Sequence, residues 1–173
     1  MSRYQSARLA VRLAGEGDAD ALAAFRCSTG PWYEQEVESF IRRHALRQAL
    51  TTPEDYRLLL VFAGGRLAGC AAHHLEVLLR DDDGLVTAAR LQLLAIGIED
   101  QGRKLDNGKR PSDTVMTTAI SDAMATHSVA VITAVTASDN LRSIALCKRH
   151  GLRSQVRYDA RHVRLSGHFT PRA

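Results

Sequence analysis

Apolar residues recur along this chain in two alternating periods, and the elements follow from where one gives way to the other. From Arg8 to Leu13 apolar and polar positions alternate weakly, which predicts a first strand. Gly15-Glu16-Gly17 breaks it. Asp18 stands where it can cap a short helix with Ala21, Leu22 and Phe25 on one face. Gly30-Pro31 opens a second helix with Pro31 at its first position, and Tyr33, Val37, Phe40, Ile41 and Ala45 form its core-facing stripe. Trp32 falls off that stripe and is expected either as packing where the helix starts or as the lip of a pocket.

Period two then takes over. Thr52-Pro53-Glu54-Asp55 reads as a turn, Tyr56 to Phe62 as a strand, Gly64-Gly65 as a tight hairpin turn and Arg66 to Leu75 as the return. Asp81-Asp82-Asp83-Gly84 turns the chain into a long strand from Leu85 to Ile98. Its run of Leu93, Leu94, Ala95, Ile96 and Ile98 is apolar on both parities, which predicts cover on both faces. These three strands form an antiparallel meander.

Helical spacing returns with Val115, Met116, Ala119, Ile120, Ala123 and Met124, opposite Thr117, Thr118, Ser121 and Asp122. Val129 to Thr136 is β-branched and apolar, hence a buried strand. Strand, loop, helix and strand imply a parallel pair with a right-handed crossover. Asp139-Asn140 caps a last helix with Leu141, Ile144, Ala145 and Lys148 on one side and Gly151 at its C′ position. Leu152 to Tyr158 and His162 to Leu165 finish the sheet. The expected fold is mixed α/β, a twisted and mostly antiparallel sheet with flanking helices, in a single domain over residues 1–173.

Composition narrows this little. With 173 residues, 45% of them hydrophobic, the chain is long enough for a real core. No apolar run approaches the roughly 20 residues that span a bilayer, and the first residues lack the apolar core of a signal peptide. The expectations are a cytoplasmic protein and no membrane partner. Cys27, Cys70 and Cys147 are far apart, with no C-x-x-C, so neither a disulfide framework nor a zinc knuckle is indicated.

The net charge of +4 is uneven, because Lys148, Arg149, Arg153, Arg157, Arg161, Arg164 and Arg172 face one acid, Asp159. Such a stretch meets solvent, an anionic cofactor or nucleic acid. It lacks interleaved aromatics for base stacking, so nucleic acid ranks last.

The stretch from Leu93 to Ser112 concentrates the chemistry. An apolar strand breaks at Glu99-Asp100 into a loop rich in Gly, Lys and Arg, and Pro111, Ser112 and Asp113 open the next helix. That order builds an anion site from backbone N–H groups, a helix dipole and fixed cations.

Two motifs then carry a resemblance. Leu94-Ala95-Ile96-Gly97-Ile98-Glu99-Asp100-Gln101-Gly102-Arg103 resembles the strand and pyrophosphate loop of the GCN5-related N-acetyltransferases (GNAT), which read L-x-V-x-P-x-x-Q/R-G-x-G-x-G/A there. The run from Ser138 to Leu152, with Asn140, Ser143, Leu146, Gly151 and Leu152 at the matching places, resembles their second motif, N-x-x-A/S-x-x-L/F-Y-x-x-x-G-F. The order of elements agrees over nearly the whole chain.

The resemblance implies an acyl-CoA N-acyltransferase fold with acetyl-CoA as cosubstrate and no metal. A primary amine, on a small molecule or a peptide, attacks the thioester directly, and a homodimer is common among such proteins. Backbone groups of Ile96 and Ile98 are implied to pair with the pantetheine arm. The pyrophosphate falls to the loop from Gln101 to Ser112, including Gly102, Arg103, Lys104, Gly108, Lys109 and Arg110. Asn140 is implied to help order the site. Cys147 takes the place of the tyrosine that protonates the departing thiolate.

Departures from the pattern set further expectations. Lys104 and Asp106 stand where the family has glycines, and Asn107 to Pro111 intervene before the helix. Either the loop is extended, using Gly108 and its cations, or cofactor binding is weakened. Asp106 should point away from a pyrophosphate. Cys147 is either a proton donor, its pKa lowered by Lys148 and Arg149, or a buried filler. A nucleophilic role lacks a Cys–His–Asn set, since His150 has no assigned third partner.

For a base the sequence is poor. Gln92, placed by parity on the face of Leu94 and Ile96, can orient a substrate or water but takes no proton. Glu99 reads as a solvated strand-end residue. His73 and His74 must point to opposite faces and cannot share a metal, though one can face a cleft. Glu76 and Tyr158 are further candidates. The rival readings are a degenerate, non-catalytic acyl-CoA-fold binding protein and a nucleic-acid-associated protein.

Overall fold

The computed structural model describes residues 9–79, 84–105 and 108–170. The expected turn at Asp81 to Asp83, loop residues Asp106 and Asn107, and the terminal Arg8 and Arg172 lie outside the described residues.

Seven described strands form one sheet in the order β1-β2-β3-β4-β5-β7-β6. The strands are β1 (Leu9–Leu13), β2 (Tyr56–Ala63), β3 (Arg66–Leu79), β4 (Leu85–Ile96), β5 (Val131–Ala137), β6 (Ser154–Arg157) and β7 (His162–His168). The helices are α1 (Ala19–Ala24), α2 (Trp32–Phe40), α3 (Leu46–Thr51), α4 (Pro111–His127) and α5 (Leu141–Arg149). All pairings are antiparallel except β4 with β5, which α4 joins as a crossover. The sheet is therefore mostly antiparallel and flanked by helices, as the periodicities predict.

Alternation along the strands divides the core into two layers. Leu59, Ala71, Ala89, Leu91, Ile132 and Leu165 pack against Val115, Met116 and Ala119 of α4 and Ile144 and Cys147 of α5. On the other face Leu58, Leu60, Cys70, Ala72, Leu93 and Ala95 pack against Leu22, Phe25, Ile41 and Ala45. Small residues let α4 sit close: a Cβ on Gly69 would lie 2.8 Å from the Ala95 carbonyl oxygen and 3.2 Å from Val115.

Several local expectations are met by specific atoms. Gly64 (φ 59°) and Gly65 (φ 84°) make the two-residue turn between Ala63 and Arg66, a conformation that favours glycine at both positions. Asn140 caps α5 by accepting the Ser143 N–H at 3.1 Å, and Gly151 (φ 97°) follows its end.

Others are corrected. Pro31 is the N-cap of α2 rather than its first residue, because its ψ of 146° is extended. Asp18 makes no side-chain cap to α1; its carboxylate accepts the Gly15 N–H at 2.8 Å and the Arg12 guanidinium at 2.6 and 2.7 Å. The expected stripe is also interrupted in geometry: its last two positions, Ile41 and Ala45, lie in a π-turn that carries α2 into α3.

Candidate functional site

The central strands part company. β4 and β5 pair only from Ala88 to Leu91 and from Val131 to Ala134, yet β4 continues to Ile96 beside β3 and β5 to Ala137 beside β7. A wedge-shaped opening therefore begins after Leu91 and Ala134. A β-bulge lies at its vertex. Ala72 faces Leu93 and His73 faces Leu91, so Gln92 is the extra residue of β4.

The bulge corrects the parity expectation for Gln92. Leu91 packs on the α4 side, whereas Leu93 packs on the α1–α3 side, and Leu94 and Ile96 return to the α4 side. Gln92 does not share their face: its carboxamide lies beside the His74 ring. One inserted residue has reset the alternation, which no local pattern announces.

β4 also ends earlier than expected, at Ile96. A 3-10 turn at Ile98–Asp100 bends the chain off the strand direction, so Ile98 is not a strand residue. Its N–H donates to the Arg26 carbonyl at 3.0 Å. The Ile96 carbonyl accepts the Gln101 side-chain amide at 3.0 Å, and the same amide reaches the Cys27 carbonyl at 2.7 Å. These two backbone groups of Ile96 and Ile98, and the Gln101 side chain, are thus engaged within the fold.

Beyond the 3-10 turn, Leu105 and Lys109 bracket a backbone turn. Leu105 N–H donates to the Lys109 carbonyl at 2.7 Å, and Gly108 N–H to the Leu105 carbonyl at 2.8 Å. Gly102 (φ 72°) and Gly108 (φ 77°) take the left-handed conformations that such a loop needs. Asp100, only 2% exposed, anchors it through Arg66 at 2.8 Å and Arg103 at 3.7 Å. Gly102, Arg103, Lys104, Gly108, Lys109 and Arg110 are all exposed around it.

Pro111 and Ser112 then open α4, whose N-cap, Arg110, supplies no side-chain cap. Pro111 has no N–H and the Asp113 N–H donates to the Arg110 carbonyl at 3.0 Å, so the Ser112 N–H and the helix dipole are what this end offers an anion. Asp113 does not oppose that charge. Its carboxylate is turned onto Arg149 at 2.6 Å and His150 at 2.9 Å. Burial pushes its pKa up, but the His150 and Arg149 hydrogen bonds outweigh this and hold it low.

Cys147 sits at the α4–α5–sheet junction, 7% exposed, and burial pushes its thiol up to about 11. Lys148 and Arg149 are exposed and do not lower it, which corrects that expectation. His150 finds its partner in Asp113, away from any nucleophilic set.

On the opposite side of the sheet the structure gathers residues that the sequence offered only singly, or not at all. Glu76 accepts the Thr133 hydroxyl at 2.7 Å and Arg164 at 3.0 Å, with Arg90 at 3.8 Å. Both guanidiniums lie over the Tyr158 ring, 4.9 Å from its centroid for Arg164 and 5.5 Å for Arg90. His74 is half-buried here, and its Nδ1 has no hydrogen-bond partner among the described residues. Burial, then Arg90, push its pKa below the ordinary value of 6.5, so the ring is neutral at pH 7.

Trp32 packs where α2 starts, the first of its two expected places. It packs edge-on to His162, and Arg161 stacks on it at 3.6 Å, so the start of α2 touches the β6–β7 hairpin. His73 points the other way, as adjacency on a strand requires, into a network with Asp122 and His127. Glu99 is exposed, beside Arg66 at 3.3 Å. The signal for Arg90 and Arg164 was present: each interrupts an apolar strand with a charge. Their shared partners were not readable, because β3, β4, β5 and β7 supply them across long sequence separations.

No model of a known protein family matches the chain, and no curated protein does. Solved structures do. A PaiA N-acetyltransferase from Thermoplasma acidophilum, in complex with coenzyme A, superposes with a TM-score of 0.69 at 15% identity, covering 94% of this chain and 99% of that one. The AtaT toxin, bound to the C-terminus of the antitoxin AtaR and to acetyl-CoA, gives 0.62 at 16% identity over 91% and 92%. An acetyltransferase of the GNAT family from Streptococcus pneumoniae gives 0.56 at 18% identity over 94% and 100%.

Proposed function

On the GCN5-related N-acetyltransferase fold, which this chain has, we propose that the protein moves an acetyl group from acetyl-CoA to a primary amine by direct attack. The observation that carries this is the opening between β4 and β5, set beside a basic, glycine-containing loop that leads to a helix N-terminus without a side-chain cap. The residues suit the cosubstrate. Left-handed glycines allow close backbone approach, and Arg103, Lys104, Lys109 and Arg110 supply charge for a pyrophosphate. Acetyl-CoA would bring an activated thioester.

Since the named groups of Ile96 and Ile98 are engaged, the pantetheine arm is assigned to the open edge of β4 from Gln92 onward. α4 covers one face, so the amine comes from the other, where His74 and Gln92 flank the vertex. Its nitrogen attacks the carbonyl carbon, the C–N bond forms, and the C–S electron pair leaves with sulfur. His74 takes the proton shed by nitrogen. Asn140 contributes by fixing the start of α5. Cys147 is a packing residue in this scheme.

Calorimetric titration with acetyl-CoA, with CoA alongside, tests the reading. Micromolar binding is expected, weakened by about tenfold or more when Arg103, Lys104, Lys109 and Arg110 are changed to glutamine. Absence of binding at millimolar cofactor would sink it and leave a fold kept without its chemistry, the reading that burial of Cys147 favours. For Cys147→Ala, we expect an unchanged turnover number and a stability loss of about 1 kcal/mol. A large fall in turnover at unchanged stability would restore the thiol as proton donor.

A further inference from the structure

This inference rests on the acetyltransferase reading and concerns the amine. On the face away from α4, two guanidiniums and one carboxylate stand at the vertex of the opening. Both oxygens of Glu76 are already engaged, Oε1 by Arg164 and Arg90 and Oε2 by Thr133. One positive charge is left over, and neutral His74 does not offset it. Nearby Asp159 is committed to the Arg161 and His162 N–H groups and to the His162 ring.

The guanidiniums are also incompletely satisfied. The Nε of Arg90 and the Nε of Arg164 are both buried, without a hydrogen-bond partner among the described residues. Buried donors left unpaired are costly and uncommon, and these two belong to guanidiniums about a quarter exposed on one face, whose outer N–H groups can take an acceptor. Guanidinium forks match the planar oxygens of carboxylate and the oxygens of phosphate. Tyr158 beneath both holds them in position.

We propose that the acceptor amine bears a carboxylate or phosphate group, which Arg90 and Arg164 bind while the amine reaches the β4–β5 vertex beside His74. The same surplus charge disfavours an acceptor that brings only further cations, such as a polyamine.

The test supplies acetyl-CoA and measures thiol release with matched amines: free α-amino acids against their amides, O-phosphoethanolamine against ethanolamine, and spermidine. Anionic amines should be preferred by about tenfold or more in kcat/KM. Arg90→Gln and Arg164→Gln should each remove that preference by raising KM for the anionic amines. The amino-acid and phosphate arms show which anion is used. Equal or better acetylation of amides, ethanolamine or spermidine by the unaltered protein overturns the inference and leaves the acetyltransferase reading standing.

Should no amine be acetylated, calorimetry of the same amines with the CoA-loaded protein decides. Binding of the anionic members alone, lost in both variants, upholds the inference while the acetyltransferase reading falls. No binding of any anionic amine at millimolar concentration overturns it.

Discussion

His74→Gln is expected to lower the turnover number for acetyl transfer by about a hundredfold, the low end of what a positioned general base contributes. The expectation follows from position and protonation together. His74 leaves β3 on the face opposite α4, beside Gln92 at the bulge, and its Nδ1 has no hydrogen-bond partner among the described residues. Burial, then Arg90, depress its pKa below 6.5, so the imidazole can accept a proton at neutral pH. Activity that depends on the neutral ring falls as pH drops through that depressed pKa. The acid limb of the kcat/KM profile, which reports the free protein, should therefore lie below pH 6.5 and vanish in the variant. A variant with the same limb and a modest loss would show that water, not His74, takes the proton. Glutamine keeps hydrogen-bonding capacity and similar bulk, so a folding defect is separable by thermal unfolding.

A second large effect is expected in stability, at the other histidine. Asp122 of α4 accepts Arg57 at 2.8 and 3.0 Å and the Nε2 of fully buried His73 at 2.7 Å. A carboxylate partner requires Nε2–H on His73, whose Nδ1 lies 3.1 Å from Nε2 of His127. Asp122→Ala strands an arginine and a buried imidazole at once. The expected loss is about 3 kcal/mol, the low end for removing one partner of a buried pair, since Arg57 and Asp122 remain partly solvated.

Burial alone would raise the Asp122 pKa, but hydrogen bonds from His73 and Arg57 prevail and hold it well below the carboxylate range. A folded-state pKa below the unfolded value, near 3.9, gives stability that is complete above that value. It is lost as pH falls further. The difference in Tm between the native chain and Asp122→Ala should thus be full at neutral pH and shrink below about pH 4. A difference independent of pH would mean that packing, not the charge, is what Asp122 contributes.

Much of the site's first half was legible in the sequence. Glycines at 102 and 108, the cations between them and Pro111 at the head of α4 describe a loop feeding a helix N-terminus, and each acts through its own local backbone preference. Cys147 was legible only as a choice. Its neighbours in sequence are cations, but its neighbours in space are the apolar side chains of α4 and the sheet, and these decide its pKa.

What the chain's order by itself determined is the set of elements and their chemistry of ending. The switch between periods two and 3.6, the paired glycines at 64 and 65 and the Asn140 cap with Gly151 are interactions within a few residues of one another. Only the tertiary structure decided the bulge at Gln92, the parting of β4 from β5, and the meeting of Glu76, Arg90, Thr133, Tyr158 and Arg164 on one face. Register between strands is a competition among whole alternative pairings, and a single inserted residue changes which side chains share a face. That competition is settled by the packing of both layers at once, which no local stretch of sequence contains.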